Sequence, residues 1–140
     1  MTEANLCYHF AVNDGSAGAI VKVSAGYEDL DLVVLFGSRA RGDATIKSDW
    51  DVGYLAGRQF DREAFLADVV VTLGTERVDL VDLQRAGGLV RFRAARDGRP
   101  LFQRAPATFA HFWFDAVSFW CDAGPLIQAG YEDILSGLPG

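Results

Sequence analysis

The longest purely apolar run, Leu32-Val33-Val34-Leu35-Phe36, is rich in β-branched residues and stops at Gly37. A run without a polar side predicts a strand covered on both faces, and therefore a central one. Asp51-Val52-Gly53-Tyr54-Leu55 and Val78 to Leu83 predict further strands, and Leu101-Phe102 a short edge strand. Between them, Asp14 or Ser16 is placed to cap a helix through about Gly26. Asp61 is placed to cap one through about Leu73, stopped by Gly74. Gln84 to Arg96 is predicted helical, with a turn at Asp97-Gly98. The order α-β-β-α-β-α-β predicts an α/β (α+β) fold, a small mixed β-sheet with helices packed against it.

The C-terminal segment has a different pattern. Between Ala107 and Asp122 the polar residues Thr108, His111, Asp115, Ser118 and Asp122 recur at helical spacing and make one narrow stripe. Beside it lie two apolar stripes, Phe109, Phe112, Ala116 and Phe119, then Ala110, Trp113, Val117 and Trp120. A terminal helix normally buries one face, whereas this one is expected to need cover on two. Gly124-Pro125 is expected to end it.

The chain has 140 residues, half of them apolar, enough for the core of one domain. The expectation is a single domain over 1–140, its core about 13–104 and a helical extension about 105–140. A net charge of -6 disfavours a surface built to hold nucleic-acid phosphates, so no direct nucleic-acid contact is expected. Six of the 13 basic residues, Arg85, Arg91, Arg93, Arg96, Arg99 and Arg104, gather in one stretch that reads as a solvated helix face. No run approaches the roughly 18 apolar residues of a membrane span, and Met1 to Asn5 carry no basic export signal. A cytoplasmic protein without membrane contact is expected. Cys7, Cys121, His9 and His111 have no zinc spacing; both thiols suit a reducing compartment, and neither histidine is expected to be catalytic.

Candidate chemistry begins where the central strand ends. Phe36-Gly37-Ser38-Arg39-Ala40-Arg41-Gly42 is followed by Ser48-Asp49-Trp50-Asp51-Val52, a pattern G-S-x10-D-x-D. Gly37 lets a backbone approach a ligand without a Cβ in the way. Ser38, opening a short helix, offers a hydroxyl and N–H groups to phosphate oxygens. Arg39 and Arg41 flank this cradle and can offset phosphate charge, and Ser48 completes the candidate nucleotide-binding set. Asp49 and Asp51, two apart on a strand, point to one face and repel each other unless a cation lies between them. Magnesium takes such hard oxygen ligands together with water and substrate phosphates. A third carboxylate is expected nearby, and Asp79 and Asp82 are the candidates. They lie on opposite faces of their strand, so at most one can serve.

Phe36-Gly37-Ser38, Gly42, Ser48-Asp49-x-Asp51 and Val78-Asp79-Leu80-Val81 together resemble the minimal nucleotidyltransferase (MNT) domain of the DNA polymerase β-like superfamily, over roughly residues 30 to 103. The resemblance implies that Asp49, Asp51 and Asp79 are catalytic and hold two magnesium ions, Asp79 being preferred because Val78 and Leu80-Val81 match the family's strand. It implies that Gly37 and Ser38 hold the triphosphate of ATP. Trp50 replaces a smaller residue between the paired aspartates, and its bulk is expected on the opposite face. A short domain with an aromatic helical tail resembles the antitoxin of HEPN/MNT toxin–antitoxin pairs, which transfer AMP from ATP to a tyrosine of a HEPN ribonuclease toxin. That toxin is then the expected partner, docked on the tail, with homo- or hetero-oligomers possible through the 107–122 helix. The alternatives are a neutraliser that acts by steric occlusion alone and an adenylyltransferase for a small molecule.

Overall fold

A computed structural model describes residues 15–136, with side chains through residue 123. Cys7, His9 and the candidate cap Asp14 lie outside the described residues. The elements are α1 (Gly15–Ala25), β1 (Leu30–Phe36), α2 (Ser38–Arg41), β2 (Trp50–Ala56), α3 (Arg62–Leu73), β3 (Val78–Asp82), α4 (Gly88–Asp97), β4 (Arg99–Gln103) and α5 (Thr108–Ser136). The sheet order is β3-β2-β1-β4. β1 runs antiparallel to both β2 and β4, and β2 runs parallel to β3, so the sheet is mixed as expected.

β1 is apolar throughout its second half because both of its faces are covered. Val33 and Leu35 pack with Ile20 of α1 and with Phe65 and Val69 of α3. Leu32, Val34 and Phe36 pack on the other side with Ala94 and Ala95 of α4 and with Phe112 and Ala116 of α5. The fold is thus three layers, with one helix pair on each face of the sheet. α3 starts and stops where its sequence says it should: Asp61 accepts a hydrogen bond from the Ala64 N–H at 3.0 Å, and Gly74 closes the helix in the left-handed conformation.

Two helix boundaries differ from expectation. α4 begins at Gly88 and not at Gln84, because Asp82 organises a turn first. Its carboxylate accepts the Gln84 N–H and its carbonyl accepts the N–H groups of Arg85 and Ala86. α5 does not end at Gly124-Pro125 but continues to Ser136. A proline inside a helix costs roughly 3 kcal/mol through one lost hydrogen bond and a ring clash, and the helix runs on through Pro125 in spite of that local cost. Among the described residues, no helix is long and apolar enough to cross a membrane.

The helical extension is not an appendage. Phe112 and Ala116 are buried in the second core, and Trp120 stacks on Phe92 of α4 with ring centres 5.3 Å apart. Gly88 permits this approach, since a Cβ there would lie 2.6 Å from the Phe119 ring. The remaining apolar side is open: Trp113, Phe114 and Phe119 are exposed, as are the polar residues His111, Asp115 and Asp122.

Candidate active site

Strand pairing sets the site before any loop does. Phe36 at the end of β1 is opposite Asp51 on β2, and Asp51 is in register with Asp79 on β3. Alternation along β2 sends Trp50, Val52 and Tyr54 into the core under α1 and α3, so Asp51 points to the opposite face, toward α4. The bulk of Trp50 therefore lies on the far side of the sheet, as expected. Along β3 the same rule separates the two candidate acids. Asp79 and Val81 face α4, whereas Leu80 joins the opposite core and Asp82 shares its side. Asp82 is engaged there by Arg85 at 3.8 Å.

At the end of β1 the chain turns sharply. Gly37 has φ 72° and ψ -157°, a conformation that L side chains rarely adopt. Space makes the same demand, since a Cβ at Gly37 would lie 2.1 Å from a carboxylate oxygen of Asp51. The glycine therefore admits the carboxylate as well as any ligand. Ser38 opens the single turn of α2, which Gly42 closes in the left-handed conformation.

These residues line an open cavity of about 780 Å³, with Gly37, Ser38, Arg41, Asp51 and Asp79 on its sheet side. Asp49, just ahead of β2, is exposed and stands outside the cavity wall, yet its charge reaches Asp51. Burial first, then the charges of Asp79 and Asp49, hold the Asp51 carboxyl above the ordinary carboxylate range, with Arg41 opposing them. Among the described residues, no three His, Cys, Asp or Glu side chains converge closely enough to grip an ion by themselves. Magnesium does not require this: one or two carboxylates suffice when water and substrate phosphates complete the shell. Asp51 and Asp79, side by side on adjacent strands and repelling each other, fit that ion.

The other residues singled out from the sequence are not in the cavity wall. Arg39 turns back to the loop ahead of β2, donating to the Ser48 carbonyl at 2.9 Å and lying 4.2 Å over the Trp50 ring. Ser48 uses its hydroxyl to accept the Thr45 N–H at 2.8 Å. Conversely, the α4 side of the cavity contributes Arg93, Arg96 and Asp97, for which sequence alone predicts a solvated face and a turn. The available signal was the spacing of Val90, Arg93 and Asp97, which puts an apolar contact and two charges on one side of α4.

Residues 19–107 match the family described as polymerase beta, nucleotidyltransferase. Over 99 residues the chain is 30% identical to the protein adenylyltransferase MntA of Aphanizomenon flos-aquae (strain 2012/KM1/D3), a match that spans 59% of this chain and 63% of that protein. A chain of a toxin–antitoxin crystallised with AMP-PNP superposes with a TM-score of 0.73 at 25% identity, over 85% of this chain and 98% of the other. A mutant of the toxin–antitoxin MntA-HpeT matches with a TM-score of 0.70 at 26% identity, over 84% and 96% of the two chains.

Proposed function

The chain belongs to the polymerase β nucleotidyltransferase family, and from that premise we propose that it is a protein adenylyltransferase of the cytoplasm. It moves AMP from ATP onto a tyrosine hydroxyl of a HEPN ribonuclease toxin and so neutralises that toxin. The observation that carries this reading is the position of Asp51, between Gly37 and Asp79 on the wall of an open cavity. A relative that is a protein adenylyltransferase and a similar toxin–antitoxin holding AMP-PNP support the reaction and the partner.

In this mechanism the tyrosine oxygen forms a bond to the α-phosphorus while the bond to the bridging oxygen breaks, and pyrophosphate departs in line. Asp79 accepts the hydroxyl proton at a carboxylate oxygen. Ser38 donates its hydroxyl to a β- or γ-phosphate oxygen, and Arg41 meets the phosphate charge. Asp49, Asp51 and Asp79 would hold two magnesium ions, which supply the positive charge that stabilises the attacking and leaving oxygens. Arg39 and Ser48 act at one remove, by shaping the loop that carries Asp49.

The toxin docks on α5. Trp113 and Phe114 are 45% and 66% exposed, next to Asp115, and there is no Lys or Arg from residue 105 to 140. Aromatic anchors beside negative charge suit a cationic, partly apolar protein surface, which an RNA-binding enzyme presents. Incubating the protein with labelled ATP, magnesium and the toxin should place label on a toxin tyrosine, located by mass spectrometry. An unlabelled toxin would overturn the reaction. Changing Trp113 and Phe114 together to Ala should abolish toxin capture while ATP binding persists, and normal capture by that variant would remove α5 from the interface.

A further inference from the structure

Arg41, Arg96 and Asp97 form a cluster that the reaction as described leaves partly unused. Arg96 grips Asp97 as a fork, its Nε donating to Oδ1 at 3.0 Å and its Nη2 to Oδ2 at 2.9 Å. The same Oδ2 is 3.6 Å from Nη1 of Arg41. Asp97 is thus shared by two guanidiniums from different elements, one at the end of α2 and one at the end of α4. Its side chain is 14% exposed, while those of Arg96 and Arg41 are 54% and 46% exposed. The carboxylate is inside and the cations are outside it, on the wall of the cavity. Arg96 is held from a second side by Phe92, whose ring centre is 5.6 Å away. Arg41 also has a carboxylate oxygen of Asp43 3.5 Å from its Nε, so the two cations meet two carboxylates, yet each guanidinium keeps N–H groups that neither carboxylate takes. Arg93, one turn back on α4, lines the same cavity and leaves this wall net positive.

We infer that Asp97 is a positioning residue, which fixes Arg41 and Arg96 as a clamp for the terminal phosphates of the bound nucleoside triphosphate, the part that departs as pyrophosphate. The location follows from sheet order: Asp97 leads into β4, which lies on the far side of β1 from β2 and β3, so the clamp is across the sheet from Asp79 and the reacting α-phosphate. Held guanidiniums recognise a phosphate with less ordering cost than free ones, and fork geometry favours paired oxygens. The inference rests on the nucleotide reading above.

The test compares ligands that have the terminal phosphates with one that lacks them. Competition titrations with ATP, inorganic pyrophosphate and AMP are run on the full chain and on its Arg96→Ala, Asp97→Ala and Asp97→Glu variants. Arg96→Ala and Asp97→Ala should each weaken ATP and pyrophosphate by roughly tenfold, the value of one charge-assisted contact, and leave AMP within about twofold. In AMP transfer the same variants should raise KM for ATP and change kcat little, and Asp97→Glu should recover most of the loss. A cluster that only ties α2 to α4 would lower the melting temperature without separating ATP from AMP. Affinities for ATP and AMP that fall together, or that do not change, overturn the clamp while the nucleotide reading stands. A wild-type protein that binds no ATP with magnesium overturns both.

Discussion

Aspartates line both walls of the cavity, and the two walls treat them in opposite ways. On the sheet side, Asp51 is partly buried against Asp79 and Asp49, and Arg41 is the cation opposing their repulsion. On the helix side, Asp97 is gripped by Arg96 and approached by Arg41, which together hold its carboxyl below the ordinary range despite burial. One wall keeps an excess of negative charge and calls for a further cation. The other has its negative charge answered and, through Arg93, turns a net positive charge to the cavity. A magnesium-bound triphosphate, positive at its metals and negative at its tail, is complementary to that division.

The largest effect should come from removing the sheet wall. Changing Asp51 and Asp79 together to Asn should lower AMP transfer by about 10³-fold or more, since both metal holding and proton acceptance are lost, with circular dichroism unchanged. A double variant that kept a tenth of the activity would break the contrast between the walls. Ser38→Ala should cost roughly 1.5 to 3 kcal/mol of ATP affinity by calorimetry, the value of a hydrogen bond to a charged group; unchanged affinity would assign Ser38 to shaping α2 only.

Stability then sharpens the contrast, because the two aspartates should respond with opposite signs. The folded state raises the Asp51 pKa, so ionised Asp51 opposes folding, and the penalty grows as pH rises through the carboxylate range. Asp51→Asn should therefore melt a few degrees higher than wild type at pH 7 and equally at low pH, where both states are protonated. Asp97 has a lowered pKa, so its contribution is present above the ordinary carboxylate range and is lost as pH falls through the depressed folded value. Asp97→Asn should melt lower at pH 7, by the equivalent of about 1 kcal/mol or less given how exposed its arginines are, and the deficit should vanish in acid. Melting curves that shift in the same direction for both variants would refute the opposed electrostatics.

Much of this could be read from the chain. β1 announced itself because burial on both faces leaves no polar position, and α3 because Asp61 and Gly74 are local signals that act within one turn. The acids of β2 and β3 were legible because side-chain alternation is a property of any strand. What escaped depends on distant partners. Arg96 and Asp97 look like a solvated helix end until β4 and β1 bring α4 beside α2 and Arg41. The Asp82 turn hid the start of α4, since Gln84-Arg85-Ala86 has the composition of a helix. The extension drawn from about residue 105 shares a core with the sheet through Phe112 and Ala116, so cutting the chain there would open that core, and point variants are the cleaner probe of α5.

The pairing of Phe36 with Asp51 has a practical consequence for engineering. Gly37 and Asp51 are neighbours because their strands are hydrogen-bonded side by side, and the ten residues between Ser38 and Asp49, the rest of α2 and a loop, are thrown across that join. Arg39 braces the loop at Thr45 and Ser48, and Arg77 braces it at Lys47, which leaves Ile46, 93% exposed, at its outermost point. A reporter peptide spliced in at Ile46 would lengthen the signature without altering the distance that matters. Scanning genomes with the spacer fixed at ten would for the same reason discard working enzymes whose loop differs in length, whereas a gapped pattern anchored on the two strands would keep them.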